Sequence, residues 1–133
     1  MDSTNEFSFT LKPSEHGIGV FAVHDIEANT YLRLFGDQTE ELEHRTRSLN
    51  KKDVPEILRQ YCIDRGETLI CPDDFGHMPV GWFLNHSKNP NAFHRGDYCW
   101  YALRDIAAGE EILIDYNSLE EPEESKESYY RQN

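Results

Sequence analysis

Turn-forming residues cut this chain into short pieces, and that punctuation limits what it can fold into. "FSFTL" (Phe7 to Leu11) alternates apolar and polar residues as a half-buried strand does, and Pro13 ends it. "GVFAVHDI" (Gly19 to Ile26) and "TYLRLF" (Thr30 to Phe35) read as two further strands, with Asn29, Gly36 and Asp37 as turn residues around the third. The strand signal returns at "TLICP" (Thr68 to Pro72), "YCWYAL" (Tyr98 to Leu103) and "EEILIDY" (Glu110 to Tyr116). Only the highly charged region from about Asp37 to Arg65 differs in character. Within it "VPEILRQYCI" (Val54 to Ile63) carries apolar residues at helical spacing, with Asp53 as a candidate cap and Pro55 in the first turn. Short strands, irregular joins and one helical stretch predict a mostly-β or β-rich α+β domain.

The length of 133 residues fits one domain with a real core. A hydrophobic content of 38% favours folding over disorder. No apolar run approaches a bilayer crossing, and "MDSTNEFSFTLKP" lacks the basic region and apolar stretch of a signal peptide, so a soluble intracellular protein is expected. The net charge of −12 argues against direct nucleic-acid binding, which relies on Lys and Arg neutralising phosphates. A basic partner is favoured instead, because opposite potentials steer encounter. The three cysteines, Cys62, Cys71 and Cys99, form no CxxC pair, so neither a disulfide framework nor a closed zinc site is expected. The last stretch, "SLEEPEESKESYYRQN", carries five glutamates and reads as an acidic tail.

Three motifs hold the chemistry. "GIG" (Gly17 to Gly19) lies between two strand signals. Glycine there serves either a tight hairpin turn or the close approach of a backbone or ligand, and no third glycine or following helix makes it a dinucleotide fingerprint. In "FLNHSKNP" (Phe83 to Pro90) an apolar run leads straight into Asn85, His86 and Ser87. Asn85 suits an Asx-type turn and His86 a satisfied core imidazole; equally, the pair supplies donors and acceptors for a polar, zwitterionic ligand. No second ligand at useful spacing supports a metal at His86. In "ALRDIAAGEEILIDYN" (Ala102 to Asn117), Gly109 marks a tight turn, Asp105, Glu110 and Glu111 read as turn and surface residues, and Tyr116 ends an apolar strand where its hydroxyl can face a cleft.

Taken in order, "HGIGVFAVHDIEANTYL", "GWFLNHSKNPNA" and "ALRDIAAGEEILIDYN" resemble the opening, central and final motifs of the SET domain, the lysine methyltransferase fold. The resemblance spans roughly Phe7 to Asn117. It implies small β-sheets with a C-terminal pseudoknot, in which the Asn-His-Ser segment meets the final tyrosine strand. It divides the chain into a SET domain (1–117, with a variable insert at about 37–80) and an acidic tail (118–133). It further implies S-adenosylmethionine as cofactor, held by His16, Gly17, Ile18, Gly19, Trp82, Asn85 and His86, with Tyr116 as the catalytic tyrosine. Leu34, Phe35 and Ile114 fall at substrate-channel positions, and no metal is implied. The substrate would be a lysine in a basic protein such as a histone tail, acted on in the cytoplasm or on chromatin.

This chain also departs from the family pattern. Leu34 stands where a tyrosine is frequent, Trp82 where arginine is usual, and Lys88 where many members have cysteine. The family's zinc-binding cysteine tail after the tyrosine is missing, so the channel needs another closure, from the tail with Tyr129 and Tyr130 or from a homodimer partner. Ile114 occupies the position two before the tyrosine that bears on how many methyl groups fit. Against the enzyme stand two alternatives: a SET-like module that binds basic peptides with little catalysis, and a methyltransferase of a non-histone protein.

Overall fold

The computed structural model describes residues 2–15, 17–35, 46–94 and 99–119. Among these described residues are ten short strands, one helical turn and three 3₁₀ segments, as the punctuated sequence requires. The chain divides into two compact units, residues 1–38 with 79–115 and residues 39–78 with 116–133.

The first unit opens on an antiparallel hairpin of β1 (Phe9–Ser14) and β2 (Gly17–Ala22). The alternating residues that predict strands form them, but the elements are shifted. Gly17 to Gly19 are the start of β2 rather than a turn. Of "TYLRLF" only β3 (Tyr31–Leu32) is paired, with β9 (Trp100–Ala102) as its neighbour and β8 (Ala92–His94) on the far side of β9. The side chains of Val20, Leu32, Leu34, Trp100, Ala102, Ile106 and Ile112 are almost wholly buried and make the core of this unit.

The feature that shapes the site is a two-stranded parallel pair, β7 (Asn85–His86) with β10 (Leu113–Ile114). Parallel neighbours cannot be joined by a tight turn, so 26 intervening residues, 87 to 112, separate the two strands. This brings the Asn-His-Ser segment beside the end of the final motif. "GWF" is not strand: Val80–Phe83 form a 3₁₀ turn before β7.

The second unit has its own sheet, in the order β4 (Thr46–Asn50), β6 (Thr68–Pro72), β5 (Ile63–Asp64). Its core is Val54, Leu69 and Cys71, with Leu49, Leu58, Cys62 and Phe75 packed around them. The expected helix at Val54 to Ile63 is reduced to one turn, α1 (Glu56–Arg59), whose N-cap is Pro55 and not Asp53. Four residues cannot sustain a helix by propensity alone, and the flanking residues are used by β5 and a 3₁₀ segment, Lys51–Asp53. Tyr116 does not end a strand; it opens a further 3₁₀ segment, Tyr116–Leu119, in this unit. Among the described residues no helix is long and apolar enough to cross a membrane.

Candidate functional site

The geometry is built outward from β2. Residues 20 to 22 receive the last motif: Ile112 N–H donates to Val20 C=O at 2.7 Å, Ala22 N–H donates to Glu110 C=O at 2.9 Å, and Phe21 and Glu111 form an antiparallel bridge. That fixes the Glu111 backbone beside the hairpin. Its carboxylate then reaches across β2: Ser14 Oγ donates to Oε1 and Asn85 Nδ2 donates to Oε2, both at 2.8 Å. Gly19 permits this, because a Cβ there would run into the carboxylate and would also sit 3.0 Å from Ser14 Cβ. The second hydrogen of the Asn85 amide goes to Ile18 C=O at 3.1 Å. Gly17, Ile18 and Gly19 are thus tied to Asn85.

Asn85 and His86 are buried, each 8% exposed, although their neighbours read as an exposed turn. Strand pairing is the reason. Leu113 lies opposite Asn85 and Ile114 opposite His86, and Ser87 N–H donates to Ile114 C=O at 2.9 Å. The turn that the sequence predicts lies one step later, where Ser87 Oγ accepts from Asn89 N–H at 3.0 Å. Asn91 then clamps the closing strand. Its Nδ2 donates to Glu111 C=O and its Oδ1 accepts from Leu113 N–H, both at 2.8 Å. His86 Nδ1 stands 3.7 Å from Asp115 Oδ1, with the imidazole buried and the carboxylate more exposed. The arrangement offers a ligand backbone groups of a glycine-rich strand, an amide oxygen and a buried ring, with a carboxylate behind them.

Leu34, Phe35 and Trp82 form a second group in the same unit. Gly81 N–H donates to Leu34 C=O at 2.8 Å. The Phe35 ring lies so close over Gly81 that a Cβ there would meet it at 2.5 Å, and it meets the Trp82 ring edge-on, with centroids 5.8 Å apart. Leu34 is fully buried and Phe35 half-buried. Ile114 is buried opposite His86.

Of the sequence-predicted residues, Gly17, Ile18, Gly19, Asn85, His86 and Ile114 come together, with Leu34, Phe35 and Trp82 grouped around the 3₁₀ turn. His16 lies outside the described residues, as do Tyr129 and Tyr130. Tyr116 follows Ile114 by two positions in the chain but belongs to the second unit. Sequence reasoning missed Glu111, Ser14 and the clamp by Asn91. The signal available was the adjacent pair Glu110 and Glu111 in the sequence-predicted strand "EEILIDY", where alternation sends the two side chains to opposite faces. Glu110 does face outward: the Arg104 guanidinium at 2.9 Å, and then the Ala107 N–H, hold its carboxyl below the usual range. Glu111 faces the site. Among the described residues no group of three or more His, Cys, Asp or Glu is placed to hold a metal.

Residues 17–117 match the SET domain family. The chain belongs to that family. This SET-domain chain is 34% identical over 110 residues to a Candida albicans protein named histone-lysine N-methyltransferase, H3 lysine-36 specific, a match covering 76% of this chain and 13% of that protein. A Saccharomyces cerevisiae protein of the same name is 32% identical over 120 residues, covering 80% of this chain and 15% of its own length. The chain therefore spans only a small part of the relatives it matches. The crystal structure of a candidate histone methyltransferase from Plasmodium falciparum is similar with a TM-score of 0.53 and 24% identity, over 84% of this chain and 95% of that one. That likeness establishes the fold: strand-rich, with few helices.

Proposed function

We propose that this chain is a protein-lysine N-methyltransferase that moves a methyl group from S-adenosylmethionine to a lysine of a basic protein, with a histone as the leading candidate. The observation that carries this reading is the convergence of Gly17 to Gly19 and Asn85 to His86 beside the strand leading to Tyr116, in a SET domain. The names of the two fungal relatives support a histone substrate, and the charge of −12 suits a Lys/Arg-rich peptide. A histone substrate would put this work on chromatin.

The donor set fits the cofactor. A Cβ at Gly17 would meet nothing within 4 Å, so the start of β2 faces open space and presents its backbone. Asn85 offers an amide oxygen for a polar end and His86 a buried ring for a flat one. Ile18 and the described glycines complete that group, with His16 and Trp82 added by motif position. When bound, S-adenosylmethionine supplies an electrophilic methyl group on a sulfonium.

The chain must supply a neutral, aligned amine. With an ordinary pKa of about 10.4, only about one lysine in 2,500 is neutral at pH 7, a deficit of about 4.6 kcal/mol. A desolvated channel disfavours the ammonium form. Leu34, Phe35 and Ile114 are the apolar groups assigned to it. The Tyr116 hydroxyl orients the amine and polarises the site, and the site must hold the two reacting groups in line. The SET domain is assigned to residues 1–117 and the acidic tail to 118–133.

Thermal denaturation with S-adenosylmethionine or S-adenosylhomocysteine tests donor binding, since a ligand of the native state raises the midpoint. A rise with either is expected. No rise with both would instead favour a peptide-binding module, the reading that Leu34 and Trp82, departures from the family pattern, leave standing.

A further inference from the structure

We propose that Glu111 is a positioning residue that holds the Asn85 amide in one orientation for the methyl donor, a role that rests on the donor-binding reading above. Both hydrogens of the Asn85 amide nitrogen meet acceptors, Glu111 Oε2 at 2.8 Å and Ile18 C=O at 3.1 Å. Turning the amide over would set its oxygen against those same two groups, neither of which has a hydrogen to give. The orientation therefore follows from the chemistry of the neighbours and not from a choice between look-alike atoms.

The amide oxygen is then left as the ligand-facing group, and it makes no hydrogen bond among the described residues. An acceptor backed by a carboxylate suits a cationic hydrogen-bond donor. The methyl donor carries one such group, the ammonium of its methionine end.

Glu111 is itself held from several sides. Ser14 Oγ anchors the second carboxylate oxygen at 2.8 Å, the backbone bridges to Phe21, and Asn91 Nδ2 takes the backbone C=O. Gly19 leaves the space the carboxylate occupies. Glu111 acts through Asn85. A charged hydrogen bond that did nothing but hold the hairpin would not require its acceptor to lie on the amide nitrogen of a residue in another motif.

The test uses the side-chain amide signals of Asn85 in a nitrogen-15-labelled chain without ligand, together with calorimetric affinity for S-adenosylhomocysteine. In Glu111→Ala the Asn85 pair should move toward free-amide positions and its protons should exchange faster with solvent. Affinity should fall by roughly tenfold or more, as expected for loss of a charge-assisted hydrogen bond. Glu111→Gln should keep the signals and hold affinity within about threefold, because its Oε1 still accepts from Asn85 and its amide can donate to Ser14 Oγ. With the donor varied, Glu111→Ala should raise KM for the donor, while kcat, read at saturating donor, stays within about threefold. An unchanged Asn85 pair in Glu111→Ala, or a Gln variant as defective as the Ala variant, overturns the proposal while leaving donor binding intact. Absence of S-adenosylhomocysteine binding by the unmodified chain overturns the donor-binding reading and this proposal with it. Should Glu111→Ala fail to fold, Ser14→Ala removes only the outer anchor. It should loosen the Asn85 signals and weaken affinity by about threefold, and no change in either overturns the proposal.

Discussion

Replacing Asn91 by alanine should cost this domain a large part of its stability, because one buried amide ties the closing strand to the rest of its unit. Asn91 is 1% exposed. Its side chain makes two hydrogen bonds of 2.8 Å, giving one to Glu111 C=O and taking one from Leu113 N–H. Alanine removes both and strands both backbone groups. Each such group costs about 1–3 kcal/mol when sealed from water. Both belong to half-buried residues, so the lower half of that range applies. The sum is about 3 kcal/mol, a large share of the 5–15 kcal/mol typical of a domain. At about 3–5 °C per kcal/mol for this chain length, Tm should fall by about 9–15 °C. Urea unfolding followed by circular dichroism should show a lower midpoint with the same slope, since the surface exposed on unfolding is unchanged. Asn91→Asp keeps the acceptor for Leu113 N–H but turns a carboxylate oxygen toward Glu111 C=O, and should be no better. An Asn91→Ala chain that melts within 3 °C of the unmodified one would refute the clamp.

Gly19→Ala should lower stability and abolish most S-adenosylhomocysteine affinity, as its Cβ would displace the Glu111 carboxylate; calorimetry reads the second effect and melting the first. Burial pushes the Cys62 thiol well up and raises the Cys71 thiol as well. A thiol raised in the folded state adds stability that is fully present below its unfolded pKa of about 8.5 and is lost as pH rises beyond it. Urea midpoints should therefore fall above about pH 9, less so in Cys62→Ala, and thiol reagents at pH 7.5 should label Cys71 only on unfolding. Glu110, held below its usual range mainly by Arg104, behaves oppositely: its contribution is present above about pH 4.3 and is lost as pH falls through the folded value. Because both side chains are substantially exposed, Glu110→Gln should cost less than about 1 kcal/mol at pH 7, with the difference closing toward pH 3.

Much of the fold class was readable from the chain, because turn residues and short alternating runs leave few options. "TLICP" forms its strand over the predicted residues. The failures have physical causes. "VPEILRQYCI" has helical spacing, yet neighbouring residues pair into a sheet, and long-range pairing overrides a local pattern. Asn85 looks like a turn residue by composition; what buries it together with His86 is a parallel partner 28 positions away, Leu113 and Ile114. No local rule carries such a pairing, and only the company of the other motifs pointed to it. Glu111 was misread for a related reason. It was read as a turn and surface residue; alternation alone cannot say what its face would meet, and Ser14 and Asn85 arrive there from distant parts of the chain.

The central claim is methyl transfer to lysine, and radiolabelled S-adenosylmethionine tests it most directly. The chain would be incubated with core histones and, in parallel, with an array of lysine peptides, using the unmodified sequence and Tyr116→Phe. Label on lysine is expected with the unmodified chain, and near-total loss in a Tyr116→Phe variant whose melting curve is unchanged. Label on peptides but not on histones would redirect the substrate while keeping the chemistry. No label on any substrate would rule out lysine methylation by this chain, and full activity in Tyr116→Phe would rule out the role of Tyr116.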